Sequence, residues 1–103
     1  MKKQYKLRYL PLFRQDVEET VLYISRKLHN PSAAERLLND IEAAILKRLE
    51  NPESFEPYHS EKERKYPYYR IYIRNYVVYY VVIDDVMEVR RLLYNRRDRT
   101  RQI

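Results

Sequence analysis

The residues best suited to chemistry in this chain are arginines and tyrosines. Tyr68, Arg70, Tyr72 and Arg74 alternate along one run, and Arg90, Arg91, Tyr94, Arg96 and Arg97 crowd the C-terminal end. In an extended chain, alternation by two puts the first four on one face. Guanidinium donors and aromatic rings together suit a phosphate-bearing or acidic partner, by stacking on bases or by covering a peptide. The alternative is an ordinary wet sheet face on which the tyrosines pack under arginine stems. His29 and His59 stand apart, with no second histidine or carboxylate at metal-ligand spacing, so neither a metal nor a cofactor is expected. No serine sits in a nucleophile elbow, and Asp84-Asp85 falls between two strand-like runs, where a turn role outweighs an acidic site.

The length and charge bound what can position those groups. A chain of 103 residues fits one domain spanning 1–103, long enough to bury roughly two thirds of its unfolded surface. Twenty-one Lys and Arg against fifteen Asp and Glu leave a net charge of +6, with basic residues at both ends. Such a field draws in nucleic acid or an acidic protein; a merely solubilising surface is the bland alternative. The absence of cysteine excludes disulfides and thiolate metal sites and is compatible with the cytoplasm. The longest apolar run, Tyr76 to Ile83, is too short to span a bilayer, so no membrane partner is expected, and no apolar stretch of an export signal follows Met1-Lys2-Lys3. The chain has no glycine. Glycine-rich phosphate cradles are therefore ruled out, and turns that need positive φ fall to Asn75 and the Asp84-Asp85 pair.

Periodicity gives the elements. Tyr5 to Tyr9 alternates as a short strand with Tyr5, Leu7 and Tyr9 on one side, ended by Pro11. From about Leu12 to Leu28, the residues Phe13, Val17, Val21, Ile24 and Leu28 recur at helical steps. Asn30-Pro31-Ser32 breaks that helix, and Ser32 with Glu35 has the spacing of a capping box for a second one. Its apolar face is Ala34, Leu37, Leu38, Ile41, Ala44, Ile45 and Leu49, and Asn51-Pro52 stops it. Residues 51 to 65 read as a polar loop. Strands follow at about Tyr68 to Ile73, Tyr76 to Ile83 and Val86 to Leu93, the first with Tyr69, Ile71 and Ile73 turned toward the helices. The last strand conflicts with strict alternation, which would bury an arginine. A bulge near Arg90 and Arg91 would let Val89 and Leu92 point the same way. The expected fold is α+β and two-layered: an N-terminal strand, an antiparallel helical hairpin, then a three-stranded antiparallel meander completing one sheet.

Several of these residues, in this order, carry a family resemblance. They are the strand Tyr5 to Tyr9, Pro11 with Asp16-Val17, Ala34, Leu49 with Pro52, Tyr69-Arg70, Tyr79-Tyr80-Val81-Val82, and Arg91-Leu92-Leu93-Tyr94 with Arg96-Arg97-Asp98. Over nearly its full length the chain resembles the RelE/ParE superfamily of small bacterial toxins. The resemblance implies the toxin of a type II toxin-antitoxin module, acting in growth arrest and plasmid stabilisation. It would be held inactive in a hetero-oligomer by a cognate antitoxin whose C-terminal segment wraps it.

Within the superfamily the resemblance is nearer ParE-like members, which share the Arg-Leu-Leu-aromatic-x-Arg-Arg-Asp ending and poison DNA gyrase by binding. Arg70, Arg91, Tyr94, Arg96 and Arg97 are then the expected target contacts. RelE-like members instead cut messenger RNA in the ribosome without a metal, and on that reading Arg70, Tyr94 and Arg97 would be catalytic. In that chemistry a ribose 2′-hydroxyl attacks the adjacent phosphate while cations stabilise the charge gathered on it. Two departures weigh against it: Val77 stands where RelE has an arginine, and no tyrosine follows Tyr94. A binding module without toxicity is a further alternative.

Overall fold

A computed structural model describes residues 3–58 and 65–95 of the chain. Its first strand, β1 (Lys6–Tyr9), runs into α1 (Pro11–Leu22) through Leu10, whose extended backbone (φ −78°, ψ 150°) is the N-cap. Pro11 therefore opens the helix as well as ending the strand, because a proline at the first helical position forfeits only an amide that has no helical partner there. A single π-helical stretch, Tyr23–Lys27, continues α1, with the Leu28 amide donating to the Tyr23 carbonyl five residues back. This wider turn shifts the apolar stripe by a residue. Phe13 and Ile24 are buried, but Leu28, expected in the stripe, is 55% exposed, and Tyr23 projects outward beside it.

The second helix, α2 (Pro31–Arg48), is capped by Asn30, whose side chain accepts the Ala33 amide at 3.2 Å. The cap is thus Asn30 and not Ser32. Pro31 takes the first helical position, which moves the capping role to the residue before it. Ala34, Leu37, Ile41 and Ile45 form the buried face, while Leu38 stays on the surface.

The remaining strands are β2 (Tyr69–Ile73), β3 (Tyr76–Ile83) and β4 (Val86–Tyr94). They form the antiparallel meander, but the sheet as a whole is mixed, because β1 pairs with β4 in parallel and the order is β1-β4-β3-β2. The two tight turns use positive φ at Arg74 (54°) and Asp84 (57°). At the first turn the left-handed residue is Arg74 and not Asn75, and an ion pair to Asp40 of α2 holds its side chain.

Alternation sorts the sheet into two faces. Tyr69, Ile71, Ile73, Val78, Tyr80, Met87, Val89 and Leu92 join the helices in the main core. Val77, Tyr79, Val81 and Leu93 form a second apolar layer on the other face, with Tyr58, Tyr66 and Tyr68 packed on it. The free edge of β2 is occupied where it would be open. Tyr58 bridges Tyr68, and the Arg48 guanidinium donates to the Arg70 carbonyl at 3.1 Å.

Candidate functional site

The β-bulge decides where the arginines of the last strand go. Tyr80 pairs with Val89 and Tyr79 with Arg91, so Arg90 is the extra residue. Val89 and Leu92 consequently both enter the main core. The two arginines part company: Arg90 donates to Glu88 at 2.8 Å and approaches the Tyr68 hydroxyl on the outer face, whereas Arg91 reaches α1. There the nearly buried carboxylate of Asp16 accepts from Arg91 Nε at 2.8 Å and Nη2 at 3.1 Å, and from the Leu92 amide at 3.0 Å. This two-pronged contact is the strong form of a charge-assisted bond. The hydrogen bonds to Asp16, opposed by burial and aided by the charges of Asp16 and Glu19, hold the Arg91 guanidinium further into its charged form.

Arg91 and Tyr94 both line a groove of about 920 Å³ between α1 with its π-helical extension and the end of the β3–β4 hairpin. Tyr94 is 49% exposed, and its ring meets Tyr76 edge to face at 5.5 Å. Tyr23 and Leu28 form the opposite rim. Burial, with smaller contributions from Tyr94 and Tyr23, raises the Tyr76 hydroxyl above its ordinary pKa.

Arg70 lies elsewhere. Its guanidinium stacks on Tyr58 at 4.5 Å and Tyr72 at 5.6 Å, opposite Tyr79, on the face of the sheet turned away from the helices. Arg74 was expected to share that face, but its side chain instead meets Asp40 of α2. The expected contact residues are thus divided: Arg91 and Tyr94 share one concavity, and Arg70 does not join them. Arg96 and Arg97 lie outside the described residues, as does Asp98.

The outer face near Arg70 has its own charge centre. Glu88 is buried there, and Arg8 at 2.7 Å and Arg90 at 2.8 Å clamp it. Burial works to raise its pKa, but the hydrogen bonds from Arg90 and Arg8 prevail and hold the carboxyl below its ordinary value. Sequence reasoning passed over Asp16 as the partner of Arg91, 75 positions away, and passed over Tyr23 and Tyr76 as groove walls. Nothing in local spacing links such distant positions. Among the described residues, no group of three or more His, Cys, Asp or Glu is placed to hold a metal ion, and no helix is long and apolar enough to cross a membrane.

A parallel β1–β4 pair, a helical hairpin and an antiparallel meander with an arginine-tyrosine groove define a small α+β fold. Residues 7–99 match the model of the ParE toxin of type II toxin-antitoxin system, parDE, and the chain belongs to that family. No curated protein sequence matches it. Among solved structures, it is similar to a chain of the chromosomal ParDE TA system from P. aeruginosa, with a TM-score of 0.70 and 12% identity over 90% of this chain and 98% of that one. It is also similar to YafQ from E. coli strain BL21(DE3), with a TM-score of 0.55 and 15% identity over 88% and 93% of the two chains. A chain of the E. coli DinJ-YafQ toxin-antitoxin complex gives a TM-score of 0.53 and 15% identity over 88% and 92%. At these identities the likeness is one of fold.

Proposed function

We propose that the protein is a growth-arresting toxin that poisons DNA gyrase by binding, and that a cognate antitoxin neutralises it. Family membership supports the toxin reading, and the solved toxin-antitoxin systems that it resembles in fold support the antitoxin. The observation that favours binding over RNA cleavage is that Arg70 does not line the groove of Arg91 and Tyr94: its guanidinium stacks on Tyr58 and Tyr72, while that of Arg91 is bonded to Asp16. A ribonuclease needs its cations and its proton-transfer group around one phosphate. Here the face carrying Arg70 is instead filled by Val77 and Tyr79, both fully buried beneath a tyrosine layer. A binding protein can use such separated arginines as contacts without tuning any of their pKa values.

The test is induction in bacteria together with purified components. Growth arrest with a DNA-damage response, inhibited supercoiling by gyrase and intact transcripts is the expected result. Codon-positioned cuts in messenger RNA would replace this reading with the ribosome-dependent endoribonuclease. Failure to arrest growth would point to a non-toxic binding module.

A further inference from the structure

Arg48, the last residue of α2, is partly buried at a junction that the proposed target contacts do not include. Its Nη1 donates to the Arg70 carbonyl at 3.1 Å and to the Tyr80 hydroxyl at 2.9 Å, and that hydroxyl in turn donates to the Pro52 carbonyl at 2.7 Å. The flat face of the same guanidinium lies on the Phe55 ring at 3.6 Å. One side chain therefore ties the end of a helix to β2, to β3 and to the stretch of chain that follows it. Residues 49–57 make only turns and bends, so their position against the sheet depends on such side-chain contacts and on the bridge between Tyr58 and Tyr68. A second anchor is Glu53, which accepts the Tyr5 hydroxyl at 2.7 Å. At the far end of the stretch, the Tyr58 ring lies under the Arg70 guanidinium.

We infer that Arg48 is a positioning residue for Arg70. It holds the strand backbone at Arg70 directly. It holds the ring beneath the Arg70 guanidinium indirectly, through Phe55 and the relay from Tyr80 to Pro52. The Arg70 side chain has a long, flexible stem, and its stack on Tyr58 and Tyr72 is what gives the charged head a direction. A contact that is ordered before its target arrives does not lose that freedom on binding. Arginine suits the hub because its planar fork presents edge donors to two oxygens while its face stacks on a ring, and a lysine ammonium has no face to stack. The consequence for growth arrest rests on the reading of Arg70 as a target contact; the positioning itself does not.

The test uses NMR of the isotope-labelled full chain. The Arg70 Nε–Hε signal, assigned by its loss in Arg70→Ala, reports the rings around it, and Tyr58→Leu sets the direction in which it moves once the ring beneath is gone. Arg48→Met keeps the stem and removes the fork. It is expected to move the signal in that same direction and to raise the amount of protein needed for half-maximal growth arrest about threefold or more. Phe55→Ala, at a residue 47% exposed, should move the signal the same way with the melting temperature in place, and it decides the matter if Arg48→Met does not fold. An Arg70 signal that stays in place in either folded variant would overturn the inference and leave Arg48 a purely structural residue. Growth arrest that persists in Arg70→Ala would instead refute the contact reading, with the resonance still deciding the positioning.

Discussion

At the scale of single residues, the two faces of the sheet put arginines to different uses. Asp16 holds both a guanidinium and a strand amide, so Asp16→Ala removes the contacts to Arg91 and to the Leu92 amide together. We expect it to cost about 2–4 kcal/mol in urea unfolding. Among the described residues, the Arg70 guanidinium stacks on two tyrosines at a partly buried site. Arg70→Ala should therefore cost less than about 1 kcal/mol in the same measurement, while the proposed role as a target contact requires it to abolish growth arrest. Glu88 adds a pH signature. Its folded pKa lies below the ordinary 4.5, so at acidic pH the unfolded state binds the proton more readily, and the clamp stabilises fully only above that ordinary value. Thermal melts should show Glu88→Gln less stable than the parent by about 1–3 kcal/mol near neutral pH. The gap should close as pH falls through the depressed folded pKa, and a gap independent of pH would refute the clamp.

At the scale of elements, the bulge in β4 is the decisive local device. Deleting Arg90 would bring Val89 and Leu92 to a two-residue spacing, so that both stay in the main core in unbroken alternation and only the contacts of Arg90 itself are lost. We expect a loss of about 1–3 kcal/mol, set by the missing Arg90–Glu88 bond and not by misplaced core residues, read as a lowered urea midpoint; a collapse of the fold would show that the extra residue is itself needed for the register. This device was legible in the sequence as a conflict, because Val89 and Leu92 share no parity and yet both are apolar. The four strands, two helices and their order were equally legible, since each carries its own two- or 3.6-residue rhythm. Other features were not. The π-helical turn that exposes Leu28 leaves no mark in composition, and the transfer of the cap from Ser32 to Asn30 turned on which residue Pro31 excludes. The parallel pairing of β1 with β4 is a choice between distant segments that strand periodicity cannot rank. The candidate site was half legible for the same reason: Tyr94 and Arg91 sit together because they share a strand end, but assigning Arg70 to their company required the path of the chain in space.

At the scale of the whole molecule, tyrosine does the core-filling work that phenylalanine and tryptophan share in other proteins, with twelve Tyr against two Phe and no Trp. Tyr9, Tyr69, Tyr76 and Tyr80 have hydroxyls raised above the ordinary 10.0, chiefly by burial. A raised folded pKa means that the folded state keeps its protons longer than the unfolded one, so this stability is fully present below pH 10 and drains away as pH rises beyond it. An alkaline titration should show circular dichroism and tyrosinate absorbance changing together; tyrosines that ionise well before the fold is lost would contradict their burial. The left-handed turns at Arg74 and Asp84 have a last consequence. Because this polypeptide makes those bends without its most permissive residue, its denatured ensemble wanders through fewer conformations than an average chain of equal length. Part of its resistance to denaturation thus comes from what the disordered chain is forbidden to do.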